Sequence, residues 1–182
     1  MRFSPFPFFN SDRLSLRPLS EMDKEAIFFL RSDKTVNEFI DRKKPENLND
    51  ALKFIEDINV RISRGESIFW AISLKGKEEL IGTVCLWNFS ADNQVAELGY
   101  EMNPLFHKQG LMTEAINCVI KYGFERLELK AMEAFTNKNN LRSIRLLEKS
   151  GFTFLPNRVD EDYPLNIVFE LTNSVAGLRG SC

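Results

Sequence analysis

The stretch Gly99-Tyr100-Glu101-Met102-Asn103-Pro104-Leu105-Phe106-His107-Lys108-Gln109-Gly110-Leu111-Met112-Thr113-Glu114-Ala115 decides the reading of this chain. It predicts a strand, a short loop and a helix opening at about Leu111. Such a junction aims several unpaired backbone N–H groups one way, and the helix dipole adds positive potential there. It is a seat for a phosphate or pyrophosphate. Gly110 lets the backbone turn tightly and come close to a ligand. The expected ligand is a nucleotide-like cofactor.

Two nucleotide readings are excluded. A P-loop needs Gly-x-x-x-x-Gly-Lys-Ser/Thr, and a Rossmann fingerprint needs Gly-x-Gly-x-x-Gly after the first strand. Neither occurs in the chain.

Further along, Asn140 to Phe152 predicts a helix capped by Asn140 and ended by Gly151 in the left-handed C′ position. With the loop above, this resembles the GNAT N-acetyltransferase superfamily. His107 to Met112 matches its pyrophosphate loop, Gln/Arg-x-x-Gly-x-Gly/Ala. The later helix matches Asn-x-x-Ser followed by Glu-Lys-x-Gly-Phe. Ser11-Asp12-Arg13-Leu14-Ser15-Leu16-Arg17-Pro18-Leu19 is similar to the opening of the RimJ/RimL branch, the ribosomal-protein N-acetyltransferase type. Ile81-Gly82 and Ala96-Glu97-Leu98-Gly99-Tyr100 are similar to it as well. The match runs in order over residues 10–172, expected to be a single domain. Residues 1–9 are expected to be an extended cover and 173–182 a loose tail.

The chain departs from the pattern in three places. His107 stands where the family has Arg, Lys108 where a small residue is common, and Met112 where Gly or Ala is usual. Met112 is placed to crowd a diphosphate, and Lys108 to add a compensating charge.

Composition sets the class. A chain of 182 residues suits one domain with a sizeable core, and 43% apolar with 27% charged residues is globular usage. A net charge of −2 argues against a nucleic-acid binder. No segment reaches the ~20 apolar residues of a membrane helix, and the N-terminus lacks a signal-peptide core. Cys85, Cys118 and Cys182 lack metal-ligand spacing, so reduced thiols in a cytosol and no metal are expected. The partner expected is an amine, with the protein a monomer or a homodimer.

Periodicity places the elements. Strands are predicted over 13–19, 67–74, 80–89, 94–102, 129–135, 152–155 and 165–171. Helices are predicted from Ser20, from Asn47 or Asn49 to Gly65, over 111–126 and over 140–150. This order is that of the GNAT fold, which implies an α+β layered protein. Its mixed, mostly antiparallel sheet has six to seven strands and about four helices. The resemblance also implies a splay between the fourth and fifth strands that holds the pantetheine arm.

The resemblance implies transfer of acetyl from acetyl-CoA to a primary amine, at a protein N-terminus or on a small molecule. A non-catalytic acyl-CoA sensor or interaction module of the same fold is the alternative. The amine must lose a proton, the developing oxyanion needs a donor and the leaving thiolate needs a polar contact. Met102 is the expected oxyanion donor through its backbone N–H. Glu101, nearest the cofactor loop, is the first candidate base, against a reading as a solvated strand-end carboxylate. Glu133 and Glu161 are second candidates, and Glu97 is expected to be structural. Many family members carry a Tyr where this chain has Leu147. The RimJ/RimL branch has instead a Ser, matched by Ser143, to serve the thiolate; a hydroxyl bonded to its own backbone is the alternative. The cofactor contacts expected are Met102, His107, Lys108, Gln109, Gly110, Leu111, Met112, Thr113, Asn140 and Ser143.

Overall fold

The computed structural model of the chain describes residues 3–173. Residues 1, 2 and 174–182, with Cys182 and almost all of the expected tail, lie outside the described residues. The elements run β1 (Phe9–Asn10), β2 (Leu14–Pro18), α1 (Lys24–Ser32), α2 (Leu48–Arg64), β3 (Ile68–Leu74), β4 (Leu80–Trp87) and β5 (Val95–Met102). They continue with α3 (Leu111–Glu125), β6 (Ala131–Asn137), α4 (Leu141–Lys149), β7 (Thr153–Val159) and β8 (Asn166–Thr172). The strands form one sheet in the order β1-β2-β3-β4-β5-β6-β8-β7. Among the described residues, only β5 and β6 run parallel. The eighth strand, beyond the six to seven expected, is the two-residue β1, which pairs Phe9 with Leu16.

The capping chemistry sets the helix starts. Asn47 caps α2, its side chain accepting from the N–H groups of Asn49 and Asp50. Gly65 closes that helix in the left-handed conformation, φ 72°. Asn140 caps α4 through Ser143 N–H at 3.1 Å. Gly151, φ 94°, ends the turn after it.

Each face of the sheet carries its own core. Trp70, Ile72, Val84, Leu86 and Leu98 pack under α3 and α4 with Ile116, Val119 and Leu147. Phe69, Ala71 and Leu80 pack on the opposite face against Ile27, Leu30 and Ile55 of α1 and α2. Each such aliphatic side chain contributes roughly 1.5–3 kcal/mol on burial. The aromatic run before β1 joins the first core. Phe3 is buried, Phe6 and Phe9 lie against Trp70, and Trp70 Nε1 donates to Pro7 O at 2.7 Å. Cys85 is a free thiol. Cys118 is disulfide-bonded, which corrects the expectation of three reduced cysteines.

One break in the sheet positions the site. The β5–β6 ladder joins Val95 to Ala131, Ala96 to Met132 and Glu97 to Glu133, and stops. Beyond it β5 stays paired with β4 as far as Met102, and β6 with β8 as far as Asn137. Residues 98–102 and 134–137 therefore face an open slot. This is the expected splay between the fourth and fifth long strands, here β5 and β6 because β1 adds one to the count.

Candidate active site

The slot ends at the β5–α3 loop. His107 Nε2–H donates to Met102 O at 2.9 Å, so the ring braces the strand end. Lys108 and Gly110 both take positive φ, 61° and 76°. That explains why a small residue is common at position 108: a side chain in the left-handed region costs roughly 1–2 kcal/mol. Gly110 stands before α3 with no side-chain cap, and the first bond of the helix runs from Glu114 N–H to Gly110 O. The N–H groups of Leu111, Met112 and Thr113 have no partner inside the helix. They open at the mouth of the slot, and Lys108, Gly110 and Thr113 line the same cleft. Leu111 and Met112 are buried in the core. Both also line the cleft beside Lys108 and Gly110.

Sequence reading missed the brace under this loop. Arg13, between β1 and β2, donates through Nη1 to Gln109 O at 3.0 Å. Its Nε and Nη2 hold Glu114 Oε2 at 2.7 and 2.6 Å. Ser11 Oγ donates to Glu114 Oε1 at 2.7 Å. Burial raises the Glu114 carboxyl, but these Ser11 and Arg13 bonds outweigh it and hold the group below its ordinary value. Gln109 Nε2 donates to Leu105 O at 3.1 Å. Arg13 stood in view as part of the opening motif, but a partner about a hundred residues away leaves no periodic signal.

Along the slot, β5 offers its own backbone. Asn103 N–H points to β4, bonding Ile81 O, whereas Gln94 O bonds the N–H of Lys130 beside β6. Alternation then turns the N–H groups of Leu98, Tyr100 and Met102 into the slot. Met102 sits at the cofactor-loop end, and Leu98 and Tyr100 lie nearer the apex. On the same face as α4, Tyr100 Oη and Ser143 Oγ are 2.7 Å apart. Burial raises the Tyr100 phenol, only partly offset by its bond to Ser143, so the group stays neutral. Tyr100 was quoted in the sequence but given no role; its alternation with Glu101 was the available signal.

Four carboxylates were weighed in the sequence, and the structure separates them. Glu101 is 7% exposed and salt-bridged to Arg42 at 2.6 Å, so it ties the α1–α2 loop to β5. Glu133 is bridged to Arg158 at 3.1 Å. Glu161 is exposed in the loop after β7 and lines the cleft. Glu97, at the apex of the slot, has one long bond from Asn88 Nδ2 at 3.4 Å. Burial raises its carboxyl to about 7; Asn88 lowers it slightly, while Asp160 and Glu133 push the same way as burial. Glu97, Glu101 and Glu161 share one cleft of 1460 Å³ with Ser143, Asn140, Trp87 and Tyr163, and Glu133 is not part of its lining.

The chain's likeness to known proteins agrees with this geometry. The Acetyltransferase (GNAT) domain matches residues 13–153. The chain is 33% identical over 147 residues to "Uncharacterized N-acetyltransferase YoaA" of Bacillus subtilis (strain 168), covering 81% of this chain and 83% of that protein. Its fold superposes on the ribosomal-protein-S5-alanine acetyltransferase of Vibrio fischeri with a TM-score of 0.78, at 17% identity, over 92% of this chain and 97% of that one. It superposes on microcin C7 self immunity acetyltransferase MccE, solved with acetyl-CoA and AMP, with a TM-score of 0.75, at 19% identity, over 89% and 93% of the two chains. The chain belongs to the GNAT acetyltransferase family, whose members use acetyl-CoA to acetylate amines.

Proposed function

We propose that the chain acetylates the α-amine of a peptide or of a compact amine, with Glu97 as the base and Ser143, backed by Tyr100, at the leaving group. The observation that carries this is the end of the β5–β6 ladder at Glu97 and Glu133. It puts a carboxyl of raised pKa at the apex of the slot, with the two hydroxyls flanking it from the other face of β5.

The residues present fit acetyl-CoA. Lys108 and the free N–H groups of α3 suit its pyrophosphate, and the slot-facing amides of β5 suit its pantetheine amides. From Met102 to Leu98 the strand advances roughly 13 Å, so the thioester end falls near Leu98. When bound, the cofactor supplies a thioester carbonyl for an amine to attack and a thiolate to leave. Glu97 takes the proton of the attacking nitrogen, because an ammonium has no lone pair. The N–H groups of Leu98 and Tyr100 donate to the oxygen on which charge develops. Tyr100 and Ser143 hold two hydroxyl protons; one joins them, and the other would be left to donate to the leaving thiolate.

A base of pKa about 7 favours one class of acceptor. An α-amine near ~8 is within reach, whereas a lysine-type amine near ~10 yields its proton far less often. Glu101 and Glu133 are weaker candidates because each must first release an arginine. No helix among the described residues is long and apolar enough to cross a membrane. The test is acetyl-CoA turnover over α-amines and side-chain amines, read by free thiol release and by mass. Thiol release above hydrolysis with α-amines is expected. Its absence across the panel overturns the reading.

A further inference from the structure

We infer that the acceptor carries an anionic group, a carboxylate or a phosphate, held by Arg31 on the α1–α2 side of the cleft. This rests on the amine reading above and names the acceptor more closely.

Arg31 lies in the last turn of α1 and lines the cleft. Its guanidinium carbon sits 3.9 Å over the Phe54 ring of α2. A stacked guanidinium keeps its N–H edges free in its own plane, in the fork that suits a carboxylate or phosphate. Among the described residues Arg31 takes part in no ion pair. Its neighbour Arg42 is already occupied: it binds Glu101, Asn37 Oδ1 at 2.7 Å and Leu30 O at 3.1 Å. Arg31, Arg42 and Glu101 thus leave one net positive charge in a half-buried site. Glu38 and Asp41 of the same loop are exposed and bridge to neither arginine.

The surroundings make that charge costly. Val36, Phe39, Ile58 and Phe69 line this part of the cleft. Burial, and then the charge of Arg42, lower the Arg31 pKa, while Glu101 only partly offsets them. A cation stacked on an aromatic ring beside a second cation gains when an anion arrives. The opposite end of the cleft carries Glu97, Asp160, Glu161 and Asp162, with Arg158 as their neighbour. An acceptor with its amine toward Glu97 and its anion toward Arg31 is aligned by both. Glu97 and Glu101, beside Arg42, are four residues apart on β5, roughly 13 Å. That is the reach from an N-terminal amine to an acidic side chain two or three residues on.

The experiment pairs C-terminally amidated peptides, Ser-Ala-Glu-Ala with Ser-Ala-Gln-Ala and Ser-Ala-phosphoserine-Ala with Ser-Ala-Ser-Ala. Turnover is read by thiol release, and peptide binding to the CoA-loaded protein by calorimetry. The expected result is a kcat/KM or affinity ratio of ~10- to 100-fold for the anionic member of at least one pair. Arg31→Gln should collapse that ratio, and Arg31→Lys should retain part of it. Which pair discriminates tells carboxylate from phosphate. Equal handling of both members in both pairs overturns the proposal, as does a ratio that survives Arg31→Gln. If no peptide or amine releases thiol, the amine reading fails instead, and the binding ratio still decides the role of Arg31.

Discussion

Tyr100 and Ser143 place their hydroxyl oxygens 2.7 Å apart, one on β5 and the other in the first turn of α4. The pair closes one side of the slot, where we propose that the thioester end lies. A phenol whose pKa burial raises stays protonated, so its O–H remains available to Ser143. Its role is therefore to orient Ser143 and polarise its hydroxyl.

Tyr100→Phe removes that orientation and keeps the ring. Turnover should fall ~10-fold while CoA affinity stays within ~2-fold. Ser143→Ala should give a similar loss, and the double variant little more, because coupled groups are not additive. Additive losses in a double-mutant cycle would mean that the two hydroxyls act separately.

Lys108 offers a variant whose two effects oppose each other. Its φ of 61° is strained for a side chain. Lys108→Gly should raise stability by roughly 0.5 kcal/mol, the strain relieved being larger than the entropy added to the unfolded chain. It also removes the cation beside the α3 N-terminus, so the Kd for CoA should rise several-fold. Thermal melts with and without CoA read both effects. A variant that binds CoA as tightly as the wild type would take Lys108 out of the phosphate site.

The Arg13 brace predicts an effect on affinity without loss of fold. The Arg13 side chain is 50% exposed, so its ion pair with Glu114 contributes at most ~1 kcal/mol to stability. Its bond to Gln109 O nonetheless fixes the loop that presents the α3 amides. Arg13→Ala should weaken CoA binding ~5- to 10-fold and leave the melting temperature within a few degrees. Unchanged CoA affinity would show that the loop holds its shape unaided.

The loop and helix of the cofactor seat were legible because their signals are local. Gly110, Asn140 and Gly151 each sit where a cap or a left-handed residue is required. The core strands were legible too, Ile68–Leu74 falling within a residue of the predicted bounds. β7 was not: it was expected to end at Leu155 and runs to Val159, because its pairing with β8 shifts register between Phe154 and Val159. The choice among the candidate carboxylates was the hardest reading. Glu97 and Glu101 share a face and a charge, and the sequence contains nothing that distinguishes them. What separates them is Arg42, which reaches Glu101 from a loop about sixty residues earlier. Arg13 and Arg31 were missed for the same reason, since their surroundings form only in the folded chain.

Glu97 carries the sharpest prediction because its pKa links rate and stability. As a base it must be ionised, so kcat/KM should rise with pH through about 7. Glu97→Gln should lower the rate ~10²–10⁴-fold near neutral pH, with partial recovery at high pH where the amine sheds its proton unaided. Stability should run the other way. The folded carboxyl titrates at about 7 and the unfolded one near its ordinary 4.5, so between these values the folded state binds more protons. Stability contributed by this group is then full below pH 4.5 and lost as the pH rises to 7. Removing the charge should make Glu97→Gln at least as stable as the wild type above pH 7, and its melting temperature should vary less across the window. A slow variant that is also less stable above pH 7 would make Glu97 a structural group. Glu101→Gln, which frees Arg42, should instead loosen the α1–α2 loop and lower the melting temperature at neutral pH. If Glu101→Gln alone reproduces the high-pH recovery, the base is Glu101 and the Arg42 bridge opens during turnover.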